Sequence, residues 1–129
     1  MKTKNPVVWF EIYVQDIVRA REFYEKVLDI QLNEMQKPDT LDNDMKMLSF
    51  PSDMGGPGAD GTLIQMSGFK SGGNSTIVYF RSEDCAIEEA RIVGAGGKVY
   101  QSKQSLGEYG FMVLALDTEG NMIGVHSMK

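Results

Sequence analysis

Two places in the chain carry residue types that do chemistry. Near the start, Trp9, Glu11 and Tyr13 recur at a period of two, which sets a carboxylate between two aromatic rings on one face of an extended strand. Near the end stands His126, the single histidine. A neutral imidazole is a general base suited to neutral pH, and a carboxylate within reach would orient its tautomer. Glu11 and His126 are therefore the candidate catalytic pair. The bland alternatives are a strand histidine satisfied by its neighbours and a Glu11 paired with an Arg or Lys. The flat rings of Trp9 and Tyr13 suit another task, stacking on a planar ligand. Five of the nine methionines, Met45, Met47, Met66, Met112 and Met122, extend that apolar lining or simply fill the core.

Composition limits what these residues can serve. A net charge of -5 without a basic cluster argues against nucleic acid as a partner. No apolar run approaches the roughly 20 residues that span a bilayer, and MKTKNPVVWF carries no signal-peptide core, so the expectation is a cytoplasmic protein with no membrane partner. Cys85 is alone and makes no internal disulfide. At the start of an expected helix it is either a small buried hydrophobe or a favoured thiolate.

The elements that position the two places follow from periodicity. Val7 to Val14 is rich in β-branched and aromatic residues and reads as a strand, with Phe10, Ile12 and Val14 on the face opposite Glu11. Asp16 stands at an N-cap position, and Ile17, Ala20, Phe23, Tyr24, Val27 and Leu28 form one helical stripe. Asp29 leaves the helical path in a left-handed conformation. Strands are expected over Gln31 to Met35, Met45 to Phe50 and Thr62 to Met66. Turn residues Lys37 to Asp44 and a loop from Pro51 to Gly61 separate them.

After a linker, Ser67 to Asn74, the pattern starts again. Ser75 to Phe80 reads as a strand, and Asp84 caps a helix whose apolar stripe is Ala86, Ile87, Ala90 and Val93, ended by Gly94 and Gly96. Strands follow at Lys98 to Gln101, Gly110 to Leu116 and Met122 to His126, with a long loop from Ser102 to Tyr109 and a turn from Asp117 to Asn121. The chain is thus one domain over 1–129, made of module one (about 7–66), a linker (about 67–74) and module two (about 75–126). The fold class is α+β, two tandem βαβββ modules. A sheet covered by one helix leaves its other face bare, and two bare faces enclose a shared pocket. Glu11 and His126 are both placed to line it.

The stretch VQDIVRAREFYEKVLDI, the helix end IVGAGGKV and the run GEYGFMVLALDTEGNMIGVHS together resemble the vicinal oxygen chelate superfamily, which includes glyoxalase I, bleomycin-resistance proteins and extradiol dioxygenases. The resemblance covers nearly the whole chain. It implies a half-open barrel built from the two modules, assembled as a homodimer. It also implies four metal-ligand positions, which map to Trp9, Gln65, Thr76 and Gly124. Trp and Gly cannot ligate, so on this mapping the usual metal site is gone. A displaced divalent site would use Glu11, Gln65 and His126, each of the first and last lying two residues beyond a mapped position. The implied pocket lining is Trp9, Tyr13, Gln65, Thr76, Tyr109 and Met122.

Three functions are compatible with these residues: a metal-dependent lyase, isomerase or dioxygenase of glyoxalase type; a metal-free binding or sequestering protein of bleomycin-resistance type; and a metal-free enzyme using Glu11 and His126. All three take a small-molecule ligand. No cofactor is required by the residues themselves.

Overall fold

The computed structural model describes residues 9–36, 44–52, 58–73 and 77–129. Strand β1 (Trp9–Tyr13) leads into helix α1 (Ile17–Leu28), then β2 (Asn33–Met35), β3 (Lys46–Ser49) and β4 (Asp60–Gln65). The order repeats as β5 (Val78–Arg81), α2 (Cys85–Ile92), β6 (Lys98–Ser105), β7 (Phe111–Leu116) and β8 (Met122–Ser127), with a 3-10 turn at Gly107–Tyr109. Each half is a four-stranded mixed sheet, ordered β1-β4-β3-β2 and β5-β8-β7-β6. In each, the first strand runs parallel to the last and the remaining pairs are antiparallel. The α+β reading with two tandem modules holds, and the two sheets remain separate. The expected elements over 7–8, 37–43, 53–57 and 74–76 lie outside the described residues. Among those described, no helix is long and apolar enough to cross a membrane.

Helix α1 forms for the reasons its sequence supplies. The Asp16 carboxylate accepts from the amides of Val18 and Arg19, 3.1 Å each, and Asp29 ends the helix at φ 53°. Ile17, Ala20, Phe23, Tyr24 and Val27 are buried along one stripe. Their core is shared by both halves. The Phe10 ring lies 5.1 Å from Phe50 and 5.8 Å from Phe80, and Tyr24 lies 5.6 Å and 5.8 Å from the same two rings. The helices also touch, since Lys26 Nζ donates to the Gly94 carbonyl and Arg91 Nη1 to that of Val27. At Gly97 a Cβ would stand 2.4 Å from the Phe23 ring, so the absent side chain is what lets α1 approach the second half.

Two local expectations are corrected. The stripe Ala86, Ile87, Ala90, Val93 does not face the core: Ile87 is 49% and Val93 70% exposed, while Cys85 and Ile92 are buried. The inward face runs Cys85, Glu88, Glu89, Ile92, and its carboxylates are used by the chain. Glu88 accepts from the Ser82 hydroxyl, and Glu89 accepts from the Lys103 amide at 2.8 Å. Apolar periodicity misses a helix face whose middle positions are acidic. The expected loop from Ser102 is also mostly strand, because β6 runs on to Ser105 through two register irregularities. Its polar sequence is that of an edge strand.

The halves are fastened at the turn between β7 and β8. Glu119, whose side chain is fully buried, accepts from the amides of Gln15 and Asp16 (2.9 Å each), from the Thr118 hydroxyl (2.7 Å) and twice from Arg19 (2.8 Å each). Asp117 accepts from the Tyr24 hydroxyl at 2.7 Å, and Asn121 Nδ2 donates to the Tyr13 carbonyl at 2.9 Å. The linker joins in, with the Gly72 amide donating to Asn121 Oδ1 and the Ser71 hydroxyl to the Glu119 carbonyl. Burial alone would raise the Glu119 pKa, but the Arg19 guanidinium, the Thr118 hydroxyl and the two amides outweigh it and hold the carboxyl at about 2. This value lies below the ordinary 4.5, so the stabilisation is complete above pH 4.5 and is lost as pH falls toward 2. It amounts to about 3 kcal/mol. Glu119→Gln should therefore lower unfolding free energy by about 3 kcal/mol near pH 7 and lessen its fall between pH 4.5 and 2. Urea unfolding across that range tests this, and parallel curves for the two proteins would refute it.

Candidate ligand-binding site

With both helices on the shared core, the faces carrying Trp9, Glu11 and Tyr13 on one sheet and Tyr79, Arg81 and His126 on the other are left outside it. Strands β1 and β5, each the end strand of its sheet, come alongside each other there. Glu11 is held by its neighbours: the Trp9 indole Nε1–H donates to one carboxylate oxygen at 3.1 Å and the Tyr13 hydroxyl to the other at 3.0 Å. Burial, and then the hydrogen bond to Glu11 and its charge, push the Tyr13 pKa up, so the phenol remains a donor. Tyr13 also stacks on Phe69 of the linker, with ring centroids 5.0 Å apart and planes at 17°.

Three adjoining hollows open along this face. A small one of about 160 Å³ is lined by Glu11, Tyr13, Lys70 and Met122 among others. The largest, about 670 Å³, lies between β1 and β5 and carries Trp9, Glu11, Tyr79 and Arg81. A third of about 520 Å³ carries Tyr79, Arg81, Leu106, Tyr109, Met112 and His126. The His126 Nε2 lies 2.6 Å from the Tyr109 carbonyl. A carbonyl only accepts, so this nitrogen carries the proton and ties the 3-10 turn to β8. The Arg81 guanidinium makes no hydrogen bond or ion pair with any described residue.

The structure thus gathers Trp9, Glu11, Tyr13 and Met122 along one seam, and Tyr109 with His126 along the next. It does not bring Glu11 and His126 into contact. Arg81 of β5 is the register partner of His126, so β5 stands between the two residues, and each is satisfied by other groups. Gln65 is also misplaced by the sequence reading. Tyr13 pairs with Ile64, so Gln65 falls on the opposite face, where its Oε1 accepts from the Ile17 amide at 2.9 Å. One residue of register exchanges the faces of a strand. Thr62 is the residue beside Glu11 instead; it is fully buried, and its hydroxyl has no hydrogen-bond partner. Thr76 lies outside the described residues. Sequence reasoning missed Arg81 and Tyr79. Ending the strand at Phe80 hid Arg81, although alternation from Phe80 would have set both residues on the outer face.

Residues 7–41 match the family described as bleomycin resistance protein-like N-terminal. No curated protein matches the sequence. Among solved structures, hypothetical protein SA1046 from S. aureus is similar at 16% identity, with 97% of this chain and 95% of that one covered and a TM-score of 0.67. Glyoxalase I from Zea mays is similar at 18% identity and a TM-score of 0.73, but this chain spans only 47% of its length while being 98% covered itself. TnmS3, an antibiotic binding protein from Streptomyces sp. CB03234, is similar at 22% identity over 98% of both chains, with a TM-score of 0.65. The chain has the fold of the glyoxalase and bleomycin resistance proteins. The resemblance read from its residues is thus supported by the match near the N-terminus and by the architecture.

The donor set here does not fit the divalent ion that the sequence resemblance implies. The positions mapped to Trp9 and Gly124 offer no ligand atom, and the Gln65 oxygen is engaged at α1. Among the described residues no group of three or more His, Cys, Asp or Glu side chains could hold a metal ion. What occupies the Gly124 position is a ring. A Cβ built there would stand 2.3 Å from two carbons of Tyr79, whose ring lies across β8 with its hydroxyl 3.9 Å from Met112 Sδ. Gly124→Ala should displace that ring and cost about 1–3 kcal/mol. In the Tyr79→Ala background the same substitution should cost well under half as much. Equal costs in a urea-unfolding double-mutant cycle would show that the ring does not lie over Gly124.

Proposed function

We propose that this protein binds a planar small molecule between β1 and β5 without a metal ion, as a binding protein of the bleomycin-resistance kind. The observation that carries this reading is the Tyr79 ring lying over Gly124, which puts an aromatic surface where the fold otherwise offers a ligand atom. Trp9 faces the same hollow of about 670 Å³, a size suited to a small organic molecule. The antibiotic binding protein TnmS3, similar over 98% of both chains, lends support from the fold. An acid–base enzyme using Glu11 and His126 is less favoured, because neither group reaches the other. An ion held by Glu11, Gln65 and His126 is disfavoured by the face on which Gln65 lies. The reading also takes the protein as a homodimer, for which sedimentation should give a particle of two chains.

Trp9 is the only tryptophan, so its indole N–H gives one resonance that reports directly on the hollow. A planar aromatic ligand should shift that resonance in a saturable titration, and Trp9→Ala should weaken binding by about 1–2 kcal/mol. Protein dialysed against zinc, nickel, manganese or iron(II) should retain none stoichiometrically by elemental analysis. A near-stoichiometric ion lost in both Glu11→Ala and His126→Ala would overturn the metal-free reading and direct attention to lyase and dioxygenase assays.

A further inference from the structure

The hollow beside His126 differs from its neighbours in charge. Its walls are Tyr79, Tyr109, Leu106 and Met112, and the one formally charged side chain among its lining residues is the Arg81 guanidinium. The chain as a whole is acidic, at -5; of the carboxylates near β5, Glu11 is engaged by Trp9 and Tyr13, Asp84 by Lys103 and Glu88 by Ser82, and the exposed Glu83, two residues beyond Arg81, forms no ion pair with it. Arg81 also lines the larger hollow with Glu11, yet the two form no ion pair. The guanidinium thus stands at the junction of the two hollows, flanked by the ring of Tyr79 two residues before it on the same face and by His126 on the paired strand.

A guanidinium has five donors in a planar fork that matches a carboxylate in two parallel hydrogen bonds, and its own face stacks on aromatic rings. An acid with a flat apolar body would satisfy both demands of this junction. Its ring would lie against Tyr79 toward Trp9, and its oxyanion would meet Arg81. His126 Nε2–H is not available as a second donor, because the Tyr109 carbonyl holds it. Discrimination by charge would therefore rest on Arg81, the one charged donor among these lining residues.

We propose that the ligand is an aryl carboxylate or related planar oxyanion, anchored by Arg81 at the junction of the two hollows. This rests on the reading of the seam as a planar-ligand site and adds the charge of the ligand to it.

The test uses the full chain and two probes of nearly the same shape, 2-naphthoate and 2-naphthamide, titrated by calorimetry and by the Trp9 indole resonance. The acid should bind at least about tenfold tighter than the amide, since hydrogen bonds to a charged group are the stronger kind. Arg81→Gln should remove that preference, and Arg81→Lys should keep part of it. Circular dichroism and the unshifted Trp9 resonance of the free variants establish that they are folded. Equal binding of both probes to the natural protein, or an acid preference that survives Arg81→Gln, would overturn the Arg81 anchor while leaving the planar site standing. Binding of neither probe would overturn both readings together.

Discussion

The buried carboxylate of Glu119 is the constraint from which the arrangement of the halves follows. An ion pair between exposed side chains contributes little, because water already solvates both charges. Here one partner is exposed and the other fully buried, and the buried one accepts five hydrogen bonds, two of them from the backbone at the corner where β1 becomes α1. A charge removed from water needs that many donors to be tolerated. The corner therefore has one position relative to the β7–β8 turn. Asp117 and Asn121 repeat the arrangement on either side, fixing the Tyr24 hydroxyl and the Tyr13 carbonyl.

That fixed corner sets the seam. With Tyr13 tied to Asn121, β1 runs back along β5, so that the hollow near Tyr13 is lined by Val78 and the one near Trp9 by Arg81. The candidate site residues hardly touch one another across the seam. Their placement comes from the scaffold behind them, through Phe10 against Phe80 and Tyr24 against both Phe50 and Phe80. Each of these rings buries a large apolar area, and together they make the core continuous between the halves.

The first half was legible in the sequence because its pattern is clean. Alternation over Trp9 to Val14 separates Phe10, Ile12 and Val14 from Glu11 and its two rings, the stripe from Ile17 to Val27 marks one helix face, and the observed burial follows both. The inner face of helix α2 is not legible in the same way, because Glu88 and Glu89 sit on it while Ile87 and Val93 lie outside, a pattern that only the partners of the carboxylates explain. The far end of strand β6 is hidden in the sequence because an edge strand carries no burial signal. Glu11, Trp9 and Tyr13 were placed on the right face from period alone. Gln65 was not, since its position depended on register with β1, and register is set by pairing rather than by the strand's own residues. The role of the Asp117 to Asn121 turn was invisible for the same reason: its side chains act on residues about a hundred positions away.

Position 124 shows how one residue type excludes one chemistry and admits another. A ligating side chain at that position must begin with a Cβ, and the Cβ alone would already overlap the Tyr79 ring. The ring and a metal ligand therefore cannot both occupy this part of β8 in the conformation observed. Glycine within a strand weakens it, since it adds backbone entropy and packs nothing, and an aromatic side chain laid across from the neighbouring strand restores the lost packing. The restored surface is not closed. Tyr79 remains 49% exposed, as Trp9 remains 41% and Tyr109 71% exposed. With rings left this open on adjoining seams, beside a guanidinium without a described partner, a flat molecule laid over them would remove apolar area from water and leave their polar tips solvated.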